Sequence, residues 1–240
     1  MALVDRRPFG TGTSARAAGL AVQVRSLVAF GRIAKRSVEK LVGFEAETGE
    51  PLRLVQAGSL AVARDEAAEQ RVREHPALGA RYGLEVELVD RRAALELAPY
   101  ARFESARAIS FTATDLHLEP GDLPRAYIEA SSRRGMVKLE GLEARGLLVS
   151  GGRVAGLETD RGPLVAGAVV NCAGGWIGLL DPAAGPVPVQ PVRHQLIITA
   201  PLACVADGHA SVRVVDANTY ARPCWGGLMF GGYESQPVFL

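Results

Sequence analysis

The hydrophobic pattern of this chain changes between two kinds along its length, and it does so more than once. At residues 122–139 and 164–171 a helical pattern or turn leads into an apolar strand, which is typical of a doubly wound sheet. Residues 53–110 and 192–240 instead alternate apolar and polar positions, as strands of a half-exposed antiparallel sheet do. The repeated crossing between the two patterns predicts a mixed α/β fold with discontinuous domains.

Composition excludes several classes of protein. Hydrophobic residues make up 48% of the 240 residues and charged residues 22%, so we expect a globular chain. Lys and Arg total 27 against 26 Asp and Glu, which gives no support to a nucleic-acid or anionic-membrane partner. No apolar run is long enough to cross a bilayer. The odd, widely spaced Cys172, Cys204 and Cys224 and the scattered histidines predict no metal site and no disulfide framework, and favour a cytoplasmic location.

Capping and turn residues place several element boundaries. Asp65 is a suitable N-cap for a helix over residues 65–80. Asp122 begins another helix, with Pro124 in its first turn and Gly135 at its end. We also expect a helix over residues 15–24. Strands are predicted at residues 2–4, 53–63, 84–89, from 137 to 150, after the Gly151-Gly152 turn to 159, and at 168–170.

An acidic side chain follows the first predicted strand. Residues 2–4 have the pattern of a buried parallel strand, which puts Asp5 and Arg6 at its carboxyl end. An acid at that position of a dinucleotide-binding unit can accept hydrogen bonds from both ribose hydroxyls of an adenosine, so both residues are candidates for a cofactor site. A solvated strand-end aspartate is the alternative. The later run GTGTSA over residues 10–15 fits a G-x-G-x-x-A fingerprint only formally, because its first glycine does not follow the strand directly.

The polar and small residues between positions 13 and 19 are further candidates for a cofactor site. Thr13 or Ser14 can cap the expected helix, and exposed N–H groups, two hydroxyls and the Arg16 guanidinium would together favour a phosphate. Ala18 and Gly19 are small enough to let the backbone lie against a flat ring. Ordinary capping, a surface arginine and simple helix packing are the alternatives.

A second candidate segment is VVNCAGGW at residues 169–176. An apolar strand that ends in small residues lets the backbone approach a ligand at the carboxyl edge of a sheet. Ala173, Gly174 and Trp176 are therefore candidate cofactor contacts. A strand that leads into glycines is common, so this segment is a weak signal by itself.

Four stretches in one order make the chain resemble a known family. They are VDRRPFGTGTSARAAGLAVQVRS, DLHLEPGDLPRAYIEASSRRG, VVNCAGGW, and PVRHQLIIT followed by TYARPCWGGLMFGGYE. The chain is similar to the FAD-dependent amine oxidoreductases of the D-amino acid oxidase superfamily, close to the sarcosine and dimethylglycine dehydrogenase branch. The resemblance covers nearly the whole chain.

The resemblance implies a fold and a set of roles. Residues 1–50 and 115–190 would form a partial Rossmann-like FAD-binding domain, interleaved with an antiparallel β-sheet substrate domain of residues 51–114 and 191–240. It implies that Asp5 binds the adenosine ribose and that a backbone amide of Val137 meets the adenine. It further implies flavin or phosphate contacts for this group: Thr13, Ser14, Ala18, Gly19, Ala173, Gly174 and Trp176.

Three departures from the family pattern matter. The family's G-x-G-x-x-G unit would precede Ala2, and its C-terminal flavin-binding segment would follow Leu240. We therefore expect a fragment that binds FAD weakly and is inactive alone. Covalent members of the branch carry a histidine where this chain has Arg16, so any FAD is expected to be held non-covalently.

The resemblance also implies a reaction. A small secondary or tertiary amine or amino acid would be oxidised at its C–N bond by hydride transfer to FAD, and water would hydrolyse the resulting imine. Only a neutral amine has the lone pair that assists hydride departure, so proton-accepting groups are expected nearby. His194 and Tyr220 are the catalytic candidates, with a sheet histidine and a core tyrosine as the alternatives. Gln23, Arg25 and Arg222 are candidate substrate contacts, although Arg222 could instead brace a turn.

Two other interpretations stay open from the sequence. The alternatives to a flavin-dependent amine oxidoreductase are a truncated, non-catalytic remnant of such an enzyme and a nicotinamide-dependent dehydrogenase. The electron acceptor is equally open, and oxygen, an electron-transfer flavoprotein and a quinone are all compatible with the residues.

Overall fold

A computed structural model describes residues 1–180 and 187–239 of the chain. Its helices are short, and two 3₁₀ turns, at Ser14–Arg16 and Gly174–Trp176, accompany them. The α-helices are α1 Val28–Val42, α2 Phe44–Thr48, α3 Glu66–Arg73, α4 His75–Ala80, α5 Arg91–Leu97, α6 Asp122–Arg133 and α7 Ile177–Leu180.

Seventeen strands are described in these two ranges. In chain order they are β1 Ala2–Asp5, β2 Leu20–Ala21, β3 Leu54–Val55, β4 Ser59–Ala63, β5 Glu87–Leu88, β6 Ala108–Thr112, β7 Leu116–Leu118, β8 Val137–Glu140, β9 Ala144–Ser150, β10 Arg153–Thr159, β11 Gly162–Val165, β12 Val192–Arg193, β13 Leu196–Ile198, β14 Ser211–Val214, β15 Thr219–Cys224, β16 Gly227–Gly232 and β17 Val238–Phe239.

The largest sheet has seven strands in the order β13-β16-β15-β14-β4-β6-β5. All its neighbours are antiparallel except β14 and β4, which run parallel. Every member of this sheet lies in residues 51–114 or 191–240, the ranges assigned from the sequence to the substrate domain. The division into two domains stays a prediction.

Both faces of this sheet are covered near its centre. Leu60 and Val62 of β4 pack on one face with Phe103, Ile109 and Val212. The alternate residues of the same strand, Ala61 and Ala63, pack on the other face against α3. Because both faces are covered, β4 is buried along its whole length.

Smaller sheets complete the fold. β1 and β8 form a parallel pair, β9, β10 and β11 an antiparallel meander, and β12 and β17 an antiparallel pair. β7 lies between β2 and β3 in a three-stranded antiparallel sheet. This last sheet joins the segment after the first 3₁₀ turn to the strand that leads into α6.

Several sequence predictions are confirmed. The fold is mixed α/β, and β1 is parallel to its partner β8. The Asp65 side chain caps α3 by accepting a hydrogen bond from the Ala68 N–H at 2.7 Å. α6 begins at Asp122, and the Gly151-Gly152 pair forms the turn between β9 and β10, with both glycines at positive φ.

Other predictions are wrong for identifiable reasons. The predicted helix over residues 65–80 is two helices, because Pro76 has no N–H to give and its ring crowds the preceding turn. No helix spans residues 15–24; residues 20–21 instead pair with β7 as β2. The predicted strand 53–63 is interrupted between β3 and β4. Residues 168–170 form no strand, since no described strand lies alongside them, and β1 is exposed at both ends rather than buried.

Candidate functional site

The described residues enclose a cavity of about 840 Å³. It lies between the segment that follows the first 3₁₀ turn, the α3–α4 region and the β14–β15 part of the large sheet. A volume of this size suits a small-molecule ligand. Its lining residues are Ser14, Ala17, Ala18, Gly19, Leu20, Ala21, Val22, Val24, Arg25, Ser26, Leu41, Arg71, Glu74, His75, Leu78, Leu118, Pro120, Leu123, Pro124, Arg213, Val215, Tyr220 and Tyr233.

One wall of the cavity is the apolar stretch of residues 17–22, whose main chain is held in place by two hydrogen bonds. The Leu118 N–H donates to the Gly19 carbonyl oxygen at 2.9 Å, and Arg222 Nε donates to the Ala18 carbonyl oxygen at 2.6 Å. Gly19 has φ +68°, and a Cβ there would lie 2.0 Å from the Leu118 carbonyl oxygen. The wall can therefore form only with glycine at this position.

The opposite side of the cavity is built by a row of residues across the large sheet. Tyr220 on β15 is the register partner of Arg213 on β14, and Arg213 is in turn the partner of Ala61 on β4. Residues paired in this way project from the same face of a sheet. Gly231, the partner of Tyr220 on β16, leaves the space that the tyrosine ring occupies, since a Cβ there would lie 2.3 Å from that ring.

The far end of this row carries a histidine. Ser110 is the register partner of Ala61, and its hydroxyl lies 2.8 Å from His75 Nδ1 at the start of α4. Burial, reinforced by the charges of Arg213 and Arg71, lowers the pKa of His75 to about 4. His75 is therefore neutral near pH 7 and contributes hydrogen bonding, not charge, to the cavity.

An aromatic and acidic cluster lies beside Tyr220. The ring centroid of Tyr220 is 6.0 Å from that of Tyr233. The Tyr233 ring makes an edge contact with His194, with the two ring centroids 5.1 Å apart. His194 Nδ1 lies 2.9 Å from a carboxylate oxygen of Glu234. The hydrogen bond from His194 lowers the pKa of Glu234, whereas burial and the nearby Tyr233 and Glu234 raise the pKa of Tyr220.

The cavity brings together five of the residues predicted from the sequence. The other eleven lie outside its lining, among them Asp5 and Arg6 at the start of the chain and Val137 on β8. The roles of Asp5 and Arg6 stay predictions. The residues inside the lining are Ser14, Ala18, Gly19, Arg25 and Tyr220.

The predicted adenosine contacts lie along the β1–β8 pair. One Asp5 carboxylate oxygen accepts the Arg7 N–H at 2.8 Å, while Arg6 lies 3.7 Å from Glu143 at the surface. The N–H of Val137 donates to the Met1 carbonyl oxygen at 3.0 Å. That N–H is thus already paired, which argues against the predicted adenine contact through it.

The predicted phosphate group has a different local structure from the one expected. Thr13 precedes a three-residue 3₁₀ turn, and its side chain makes no capping hydrogen bond. Thr13, Ser14 and Arg16 are exposed, and no α-helix begins there. A single 3₁₀ turn offers fewer aligned N–H groups than a helix start, so the physical basis predicted for phosphate binding is weaker than expected.

The second predicted flavin segment is exposed at the surface of the described chain. Ala173, Gly174 and Trp176 form or flank the second 3₁₀ turn, which the Asn171 side chain stabilises by accepting the Ala173 N–H at 3.1 Å. None of the three lines the cavity. His194 also lies outside the lining, although its ring contacts Tyr233, which lines the cavity. It lies between β12 and β13 rather than within a strand.

Two of the predicted substrate contacts are buried in the protein. The Gln23 amide donates to Thr114 and Asp115 at 2.8 and 2.9 Å. Arg222 is 1% exposed; its Nε donates to Ala18 and its Nη1 to Glu119 and Pro223, while Nη2 is buried without a partner among the described residues. Neither side chain is accessible to a substrate. Both predictions are corrected: Gln23 and Arg222 hold elements together.

Sequence reasoning missed three residues of the cavity: Arg213, Tyr233 and His75. Arg213 lies in an ordinary alternating strand, and nothing marks it until the register with Tyr220 is known. Tyr233 lies within the stretch TYARPCWGGLMFGGYE, which carried part of the family resemblance. Its separation from Tyr220 in the sequence gave no indication that the two rings are neighbours.

Two negative findings complete the description. Of the helices at residues 1–180 and 187–239, none combines the length and apolar character that a membrane crossing needs. Within the same residues, no cluster of three or more His, Cys, Asp or Glu side chains is arranged to hold a metal ion.

The fold and the sequence together define the class of protein. The family profile described as DAO, FAD dependent oxidoreductase, matches residues 1–238. The chain therefore belongs to the DAO family of FAD-dependent oxidoreductases. FAD is the cofactor of this family, which favours a flavin over the nicotinamide alternative.

Particular relatives narrow the branch. Human mitochondrial sarcosine dehydrogenase is 28% identical over 99% of the chain, and human mitochondrial dimethylglycine dehydrogenase is 24% identical over 98%. The mouse mitochondrial pyruvate dehydrogenase phosphatase regulatory subunit is also 24% identical over 98% of the chain. The chain spans 26 to 28% of the length of these three relatives.

Solved structures confirm the fold. L-proline dehydrogenase from P. horikoshii superposes with a TM-score of 0.89 at 24% identity, over 99% of this chain and 63% of that one. Glycine oxidase from Geobacillus kaustophilus gives 0.84 at 22% identity, over 99% of this chain and 65% of that one.

Proposed function

We propose that the protein oxidises the carbon–nitrogen bond of a small secondary or tertiary amine that carries a carboxylate, with FAD bound non-covalently. The observation that carries this proposal is the cavity of about 840 Å³, which joins the Ala18–Gly19 wall to Tyr220. The names of relatives that oxidise sarcosine and dimethylglycine support the substrate class.

The cavity fits the ring end of the family's cofactor. Its wall presents backbone and small side chains, so a flat ring can lie against it without displacing a bulky group. Ser14, Ala17, Ala18 and Gly19 would lie along the ring. When bound, FAD supplies a two-electron acceptor for hydride from the carbon next to the amine nitrogen.

Side chains of the protein would accept or donate the proton of the substrate's amine. Glu234 would orient the His194 ring by accepting a hydrogen bond from Nδ1, which leaves Nε2 as the ring nitrogen that would accept a proton from the amine. Tyr220, whose pKa is raised chiefly by burial, stays a neutral phenol that can donate to a carboxylate or accept from an ammonium. Together they favour the unprotonated amine that the reaction needs.

The test is spectroscopic. The chain is joined to the two flavin-binding segments expected from the family and mixed with FAD, and sarcosine is added without oxygen while the flavin band near about 450 nm is followed. Bleaching by sarcosine is expected. N,N,N-Trimethylglycine is the matched control, because it carries the same carboxylate but no nitrogen lone pair, and it should leave the band unchanged. No bleaching by sarcosine, dimethylglycine or another N-methyl amino acid would contradict the proposal.

A non-catalytic role is the second candidate. Residues 168–170 form no strand, and one relative is named as a regulatory subunit. FAD binding without reduction by any amine would favour this candidate.

A further inference from the structure

Helix α1 carries apolar side chains on two faces, and one of these faces is fixed against the protein. Val38 and Leu41 pack in one buried cluster, and Val28 packs on another. A Cβ at Gly31 would lie 2.5 Å from the Tyr82 ring, so the helix is seated tightly on its neighbours. This packing determines which residues of α1 lie on its outer face.

The outer face has large apolar side chains that the core does not use. Leu27, which directly precedes the first turn, is 59% exposed, and Phe30 and Ile33 are 58% and 62% exposed. The three follow one another at intervals of three residues, so they are close together on the helix surface. Single exposed apolar residues are common, whereas a row of them on a fixed helix is typical of an interaction surface.

The same region of the chain is basic. Residues 6–38 contain no Asp or Glu, although cations and anions are nearly balanced in the whole chain. The Arg32 side chain is exposed and makes no ion pair with any residue that the structure describes. Arg36 shares the carboxylate of Glu39 with Lys35. The cations within residues 6–38 are Arg6, Arg7, Arg16, Arg25, Arg32, Lys35 and Arg36.

Area and charge decide which partner fits this surface. A large side chain buries at most roughly 250 Å², so three that are already partly covered offer less than the roughly 800 Å² per partner of a stable protein interface. Two copies of the chain would also bring the same basic residues to one interface. A lipid surface needs no such area, because apolar side chains enter the headgroup region while neighbouring cations stay at the phosphates.

We propose that the outer face of α1 binds the surface of an anionic bilayer. Leu27, Phe30 and Ile33 would insert among the headgroups, and Arg32 and Arg36 would pair with lipid phosphates. The helix would lie in the plane of the interface. The charge balance of the whole chain does not oppose this arrangement, because exposed charges further away than a Debye length of about 10 Å are largely screened. The proposal does not depend on the proposed function.

The experiment measures binding of the 240-residue chain to vesicles. The chain is sedimented with vesicles of phosphatidylcholine alone or of an equimolar mixture with phosphatidylglycerol, and the bound fraction is measured. Binding is expected to the anionic vesicles only and should weaken as salt is raised.

Two paired variants separate the apolar from the charged contribution. Phe30→Ser combined with Ile33→Ser should weaken binding about tenfold or more, because two large apolar side chains no longer leave water. Arg32→Gln combined with Arg36→Gln should also weaken it about tenfold or more, since each cation near an anionic surface contributes about that much in pairs.

Val165→Ser and Arg153→Gln are the matched controls. Val165 on β11 is 81% exposed, and Arg153 on β10 is an exposed cation, so each removes the same kind of side chain from a different surface. Binding should stay within about twofold in both controls. Circular dichroism checks the fold, and if the apolar pair fails to fold, the arginine pair alone decides.

Several results would overturn the proposal. They are no binding to the anionic vesicles, equal binding to both kinds of vesicle, unchanged binding in either folded paired variant, or an equal loss in the controls. Sedimentation velocity without lipid tests a second copy of the chain as the partner. A dimer that Phe30→Ser combined with Ile33→Ser converts to a monomer would overturn the proposal and assign this face to self-association.

Discussion

Gly19 shows how one residue limits the shape of the cavity. The residue has φ +68°, and its missing Cβ is the reason that the 17–22 wall can approach the Leu118 carbonyl oxygen. Gly19→Ala should destabilise the protein by about 1–3 kcal/mol or more, from backbone strain and the contact with a carbonyl that cannot move. The shift in urea midpoint measures it.

Gly12→Ala is the control for that change. A Cβ at Gly12 would meet no atom within 4 Å, and Gly12 has no positive φ, so the effect should stay within about 0.5 kcal/mol. Equal effects of the two substitutions would contradict the role given to Gly19.

The pair of predicted catalytic residues also belongs at this scale. In a chain to which the family's two flavin-binding segments have been joined, His194→Ala and Tyr220→Phe should each slow anaerobic flavin reduction by an amine by about tenfold or more, because general acid–base groups typically contribute at least that much. FAD affinity should change little. Stopped-flow absorbance gives the rates, and an unchanged rate in both variants would make the two residues structural.

At the scale of elements, α4 begins at a histidine that the fold keeps neutral. The pKa of His75 is lowered from 6.5 to about 4 by burial and by Arg213 and Arg71. The unfolded chain therefore binds the proton first as pH falls, so stability is full above about pH 6.5 and declines toward pH 4. The loss should approach about 3 kcal/mol.

His75→Gln isolates this contribution. The variant keeps a polar side chain near Ser110 but cannot titrate, so the stability difference between the two proteins should narrow as pH falls from 7.5 to 4.5. Urea unfolding at several pH values measures the difference. A constant difference would contradict the predicted neutral state. Asp115 and His117 titrate in both proteins and cancel in the comparison.

The elements also show where sequence reasoning succeeds. Local signals were enough for α3, α6 and the β9–β10 hairpin, because the Asp65 cap, the Pro124 position and the Gly151-Gly152 turn act within a few residues. They failed at residues 15–24, where pairing with β7 overrides local helix propensity. The sequence also identified part of the candidate site from local motifs. Ala18, Gly19 and Tyr220 lie in the motifs, whereas Arg213 becomes informative only through its strand register.

At the scale of the whole molecule, one prediction concerns how FAD is attached and another how the two predicted domains are connected. In the family's covalent members a histidine stands where this chain has Arg16, and an arginine cannot form that bond. When the family's two flavin-binding segments are joined to the chain, FAD bound to it should therefore be released completely by acid denaturation. Yellow colour that remains on the washed precipitate would contradict non-covalent binding.

The cytoplasmic location predicted from the cysteines stays a prediction.

Arg222 links the two predicted domains. It lies on β15 of the large sheet, yet it donates to the Ala18 carbonyl oxygen and to Glu119, both in the other predicted domain. Arg222→Gln should leave Glu119, which is 32% exposed, without its partner cation and release the cavity wall, which should cost about 1–3 kcal/mol of stability. The same loss should weaken FAD binding, because the wall that would face the flavin is no longer held.

The contrast with Arg213→Gln makes this prediction specific. The Arg213 side chain makes no hydrogen bond or ion pair with any described residue, so Arg213→Gln should shift the urea midpoint little. Arg222→Gln should lower that midpoint, because it removes the hydrogen bonds to Ala18 and Glu119. If Arg222→Gln leaves both the urea midpoint and the FAD affinity unchanged, the buried arginine does not hold the cavity wall.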